Sequence, residues 1–200
     1  MRKIVVISMI SLDGVMQGPG GPEEDTSGGF KHGGWTWPYS DEFSEKIFGA
    51  EFSGEYDLLL GRKTYDIWKD YWPKQEGVIA NPFNKATKYV VSHRNTDLSW
   101  EKSVLIDGDV PVKLKELKAS KGPMLSVQGS SNMIQTLLKN DLVDELWLRI
   151  YPLTLGSGKR LFADGTIPAK FKLTDFKASP KGIIFAYYKR GGELKTGSFS

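Results

Sequence analysis

Met124-Leu-Ser-Val-Gln-Gly-Ser-Ser-Asn-Met-Ile-Gln-Thr-Leu-Leu138 decides the reading of the whole chain. Met124 to Val127 is a short apolar run that reads as a buried strand. It breaks at Gly129, and Ser130, Ser131 and Asn132 are residue types that cap a helix start. Met133, Ile134, Leu137 and Leu138 then recur at helical spacing. A strand that feeds a helix through Gly-Ser-Ser aims several backbone N–H groups at one point. Such a point suits a phosphate, because the helix start is electropositive and glycine lets a ligand approach the backbone. An ordinary strand–turn–helix link has the same pattern, so its surroundings must decide.

Working outward, the pattern repeats. Lys3–Ile10 is rich in Ile and Val and reads as a central first strand, ending in the turn signal Ser11-Leu-Asp-Gly14. Tyr56–Leu60 reads as a second strand, and Gly61-Arg-Lys-Thr64 turns it into a helix expected from Thr64 to about Trp72. Lys88–Val91 reads as a third strand closing in Ser92-His93-Arg94, a basic pair that is either solvated surface or a phosphate contact. Ser103–Ile106 is a further short strand, and Val110–Ala119 is an amphipathic helix opened by Asp109 and Pro111. Asp144–Tyr151 alternates between two different faces, and Phe171–Ala178 with Ile183–Lys189 reads as a closing hairpin around Ser179-Pro-Lys-Gly182. Strands alternating with helices and then a hairpin predict one α/β domain over 1–190, with a mostly parallel sheet, an antiparallel edge and a frayed tail over 191–200.

Two stretches stand apart. Gly18–Gly34 carries seven glycines (18, 20, 21, 28, 29, 33 and 34) and two prolines and reads as a loop with little to bury. Loops of that length are functional or disordered. It leads into Trp35, Trp37 and Tyr39, rings that either pack a core edge or wall a pocket for a flat ligand. Ser40 is then the expected cap of a helix with Asp41, Glu42 and Glu45 in its first turn, acids that compensate the helix dipole.

Composition narrows the function. Two hundred residues with 40% hydrophobic and 26% charged content describe an ordinary soluble chain. A net charge of +3 with scattered Lys and Arg argues against a nucleic-acid partner. The absence of cysteine suits a reducing, cytoplasmic setting, and the early stop of the first apolar run at Asp13-Gly14 argues against a secretory signal. Only His32 and His93 are present, without a paired ligand spacing, so no metal site is expected. No run reaches the ~20 apolar residues of a membrane span.

In open α/β sheets ligands bind beyond the carboxyl ends of the strands. Gly61–Thr64, Ser92–Arg94 and Gln128–Asn132 all fall at such ends. Two offer helix N-termini for a diphosphate and one offers cations for a separate phosphate. That is what a dinucleotide with a 2′-phosphate requires, yet the dinucleotide fingerprint G-x-G-x-x-G is absent.

These residues resemble the dihydrofolate reductase-like superfamily, and more closely the reductase domain of the riboflavin-biosynthesis deaminase–reductase. The matches are Ser11-Leu-Asp-Gly14, Leu60-Gly-Arg-Lys-Thr-Tyr65, Val90-Val-Ser-His-Arg94, Val127-Gln-Gly-Ser-Ser-Asn132, and Asp144-Glu-Leu through Pro152-Leu-Thr-Leu-Gly-Ser-Gly158, in the family's order. The resemblance implies an NADPH-dependent reductase of a small flat heterocycle, a pteridine or a ribosylamino-pyrimidine, working as a homodimer. It maps cofactor binding onto Gly61, Arg62, Thr64, Gly129, Ser130 and Ser131 around the diphosphate, and onto Ser92, His93 and Arg94 at the 2′-phosphate. It sets the nicotinamide beside Ile7, Ser8 and the 11–14 turn, with substrate near Ser8, Trp35 and Trp37. It offers Asp41 for proton delivery, with Glu42 and Glu45 as alternatives. One departure is Gly129-Ser130-Ser131, where dihydrofolate reductases carry consecutive glycines. A protein of the same fold that binds NADP(H) or another small ligand with little or no turnover is the alternative. The strand over 144–151 and the hairpin would supply the dimer's apolar face.

Overall fold

The computed structural model describes residues 1–94 and 96–199, so the last residue of the expected tail, Ser200, lies outside the described residues. Its centre is β1 (Ile4–Ser11), an apolar run buried on both faces and therefore flanked by parallel neighbours. On one side lies β5 (Met124–Gln128), then β2 (Tyr56–Gly61), β3 (Lys88–Val91) and β4 (Ser103–Ile106), all parallel. On the other lies β6 (Glu145–Tyr151), also parallel to β1, followed by β8 (Ile184–Arg190) and the edge strand β7 (Phe171–Ala178), which run antiparallel. The expected architecture, a mostly parallel sheet with a closing antiparallel hairpin, is the one observed.

Alternation along the strands feeds two cores. Ile4 and Val6 of β1, Leu125 and Val127 of β5, and Leu146 and Leu148 of β6 face α4 (Val110–Ala119) and α5 (Ser131–Lys139). Val5 and Ile7, with Leu58 and Leu60, face Tyr65 of α2 (Arg62–Tyr71) and Phe83 of α3 (Ala80–Lys85). A third cluster joins Val15, Phe30, Trp35 and Tyr151 to Ile47 of α1 (Glu42–Glu51) and to Phe185.

Several local expectations are corrected. α1 is capped by Asp41, whose carboxylate accepts from the Ser44 N–H at 2.7 Å, and not by Ser40. α2 begins at Arg62, directly after Gly61, two residues before the expected start. α3 falls between the expected second helix and third strand, where no element was expected; Pro82 is tolerated because it occupies the first turn, where a missing N–H costs nothing. The 18–34 loop does bury a side chain, Phe30, in the third cluster.

Candidate functional site

The β-ladder registers bring the predicted segments to one edge. Gly61 pairs with Val91, so Ser92 follows immediately beyond β3. Leu58 pairs with Ser126 and Ile7 with Gln128, which brings Gly61 and Ser8 level with Gly129 where the ladders are continued. Gly61, Gly129 and Ser92 therefore lie at the carboxyl ends of three neighbouring parallel strands, with Ser8 level with them inside β1.

The longer helices differ in how their starts are closed. α1 and α4 are closed by carboxylates, with Asp109 accepting from Val112 N–H at 3.2 Å. α2 and α5 have no side-chain cap. Their first-turn N–H groups lack intrahelical acceptors by construction, and these two starts lie side by side. Two direct bonds show how close they are. Gly61 N–H donates to Ser130 Oγ at 2.8 Å, and Ser130 N–H donates to Thr64 Oγ1 at 2.9 Å. Gly129 and Ser130 both have left-handed backbone, φ 58° and 57°. A Cβ on Gly129 would lie 3.1 Å from Thr64 Oγ1, so glycine is needed there.

Cations surround this gap. Arg62 pairs with Asp66 at 2.6 Å across one helical turn. Among the described residues, Lys63 and Arg94 make no ion pair, and both are exposed. Ser92 is buried and folds the chain beyond β3: its Oγ donates to Arg94 O at 2.9 Å and accepts from Arg94 N–H at 3.1 Å. His93 is exposed, with Nδ1 3.4 Å from Asp107 Oδ1. Two uncapped helix starts and flanking cations are the donor set a dinucleotide phosphate needs, so the residues present fit such a cofactor.

The substrate-side residues take varied positions. Ser8 is buried and donates to Met9 O at 3.3 Å. Trp35 is buried, its indole N–H donating to Gln17 O at 2.8 Å and its ring meeting Tyr151 edge-on at 5.2 Å. Trp37 is 80% exposed. Asp41 caps α1 beside the β7–β8 turn, and the Ser44 hydroxyl and N–H facing it hold its carboxyl below the usual carboxylate range. Tyr151 pairs with Ser11, which sets the Trp35 and Tyr39 rings near the carboxyl end of β1.

Sequence reasoning missed how the 11–17 turn is held. Asp13 accepts from Ser11 Oγ at 2.5 Å, Leu155 N–H at 3.1 Å and Gly156 N–H at 2.8 Å, which ties two of the quoted motifs together. Ser-x-Asp before glycine was a legible signal for this turn. Gln17 also receives Lys159 N–H at 2.9 Å, and nothing in the sequence flagged it.

A cavity of about 600 Å³ lies elsewhere, between α1 and the hairpin, lined by Phe43, Ile47, Glu51, Trp147 and Tyr187 among others. It contains none of the residues above, and its Glu51 is already engaged by Arg149 and Tyr187. The carboxyl edge, with its open donors, is the stronger candidate. Among the described residues no cluster of metal ligands occurs and no helix is long and apolar enough to cross a membrane.

Comparison with known proteins bears on the family and the fold. Residues 2–185 match the family model described as the RibD C-terminal domain. The uncharacterized protein YyaP of Bacillus subtilis is 26% identical over 197 residues, covering 96% of each chain. A pyrimidine reductase-like protein from Corynebacterium diphtheriae has a similar structure, with TM-score 0.62 and 15% identity, over 96% of this chain and 93% of that one. Dihydrofolate reductase from Enterococcus faecalis, solved in complex with NADP(H) and RAB-propyl, has TM-score 0.59 and 16% identity, over 95% of this chain and 97% of that one.

Proposed function

This chain belongs to the RibD C-terminal domain family, and on that premise we propose that it is an NADPH-dependent reductase of a small flat heterocycle, of the pteridine or ribosylamino-pyrimidine kind. One observation carries the reading: among the longer helices of the described residues, α2 and α5 lack a side-chain cap and start side by side at the carboxyl edge of the sheet. Their amides, with Gly61, Arg62, Thr64, Gly129, Ser130 and Ser131 around them, would hold the diphosphate. Ser92, His93 and Arg94 would receive the 2′-phosphate, where a guanidinium's fork of donors suits phosphate oxygens. When bound, NADPH supplies a hydride. Ser8 and the Ser11–Gly14 turn would orient the nicotinamide end, and the Trp35 cluster would wall the substrate side and exclude water.

A second reading has its own support. Asp41 is the acid nearest the family's proton-delivery position, and one of its oxygens already caps α1. A binding protein of the same fold with little turnover needs no such acid. We also propose a homodimer in a cytoplasmic setting, the partner covering apolar side chains that the hairpin leaves exposed, Leu173, Phe176 and Ile184.

The test is a titration of NADPH and NADH followed by tryptophan fluorescence, with Arg94→Ala in parallel, then NADPH oxidation against pteridines and pyrimidines. Tighter binding of NADPH than NADH, a preference lost in Arg94→Ala, and oxidation with one substrate class are expected. Binding without oxidation favours the second reading. Failure of both nucleotides to bind overturns the first.

A further inference from the structure

Thr64 and Ser130 stand in the segments expected to touch the cofactor, yet their polar atoms face each other. Ser130 Oγ receives Gly61 N–H, and Thr64 Oγ1 receives Ser130 N–H. The two bonds run in opposite directions between the β2–α2 junction and the β5–α5 junction, so neither junction can shift alone. They also hold Ser130 in left-handed backbone, φ 57° and ψ 47°, a conformation that a residue with a Cβ disfavours. Both N–H groups are thereby withdrawn from any ligand, and the donors left to an anion are the first-turn amides of α2 and α5.

We propose that Ser130 and Thr64 are positioning residues: their clasp presets the separation and aim of the two helix N-termini, so the phosphate seat is built before a ligand arrives. This rests on the reading of the carboxyl edge as a dinucleotide site and gives that edge a specific device. Fixed donors bind a phosphate group without the cost of being ordered at the moment of binding. The serine that stands where dihydrofolate reductases carry glycine thus has a positive role. Its hydroxyl does what a loop of glycines leaves to the ligand, joining one junction to the other. Gly129 lets Thr64 reach under the turn, since a Cβ there would meet Thr64 Cγ2 at 3.2 Å.

The test compares wild type with Ser130→Ala, Ser130→Gly and Thr64→Val. Inorganic pyrophosphate and NADPH are titrated calorimetrically, melting temperature is recorded, and exchange of the Gly61 and Ser130 amide protons is followed by NMR. Both amides should be protected in the free wild-type protein. Ser130→Ala, left in a strained turn without its bond, should expose Gly61 and raise the Kd of both ligands about tenfold. Thr64→Val should expose Ser130 and weaken binding similarly. Ser130→Gly keeps the left-handed turn without strain and should fall between wild type and alanine. A merely structural brace would lower the melting temperature and leave the Kd of the folded variants unchanged, and that result, or fast exchange of both amides in free wild type, overturns the proposal. Wild type that binds pyrophosphate and not NADPH overturns the cofactor reading, and the pyrophosphate series then decides the clasp. Wild type that binds neither overturns both.

Discussion

Asp13 shows what one side chain does at this edge. Its carboxylate takes three hydrogen bonds, from Ser11 Oγ and from the Leu155 and Gly156 amides, and Arg160 lies 3.6 Å away. The Ser11 hydroxyl, followed by those backbone donors, pulls its carboxyl down to about 2 from the ordinary 3.8. The folded pKa lies below the unfolded one, so the stabilisation is present above about 3.8 and is lost as pH falls through about 2. Asp13→Asn sets an NH2 group against donors that need an acceptor. It should lower stability by about 1–3 kcal/mol at neutral pH, the usual cost of an unmet buried or charge-assisted bond. Urea melts should show the two proteins converging as pH is lowered from about 4 towards 2. At this scale the sequence was informative about residue type and less so about role. Asp41 accepts the capping bond of α1, and Trp35 is a buried ring with its N–H bonded to Gln17. The sequence offered a structural and a functional reading for each, and choosing between them depends on which neighbours arrive.

The long glycine-rich segment behaves as a strap. Gln17 Nε2 donates to Asp25 O at 3.0 Å and Ser27 O at 2.9 Å, Lys159 pairs with Asp25, and Phe30 is buried beneath. Two passes of the strap touch at Gly33, where a Cβ would lie 2.5 Å from both Gly21 O and Pro22 O. Gly33→Ala should therefore push the passes apart. We expect a loss of about 1–3 kcal/mol, as for overpacking elsewhere, with the far-UV spectrum of the sheet unchanged and proteolysis within 18–34 accelerated. Protection equal to wild type would show that the strap has slack. Glycine content alone suggested a loop with little to bury, because the partners that tie it, Lys159 and Trp35, lie outside the segment. The missed helix α3 has the same cause: its Phe83 is fixed by Phe52, Trp68 and Trp72, contacts with distant or separately folded elements.

For the whole molecule the open question is what covers the hairpin. A bulge between Leu173 and Asp175 shifts the alternation of β7, so Leu173 opposes Tyr188 and Phe176 opposes Ala186 on one face, with Ile184 opposite Ala178. Leu173, Phe176 and Ile184 remain 44%, 64% and 43% exposed. If a second copy covers them, Phe176→Lys should convert a dimer to a monomer in sedimentation and leave the melting of the monomer nearly unchanged, since an exposed side chain is replaced by another. A wild-type monomer would remove the homodimer from the proposal. The sequence by itself determined the order of the strands and of the four longer helices, the closing hairpin and the three loop segments at the strand ends. Those depend on local periodicity and on glycine, which act over a few residues. Only the tertiary structure decided that Gly61 meets Ser130, that Asp13 holds Gly156, and that α2 and α5 start side by side without caps. Contacts between residues some seventy or more positions apart are set by strand order and register, which no local pattern encodes.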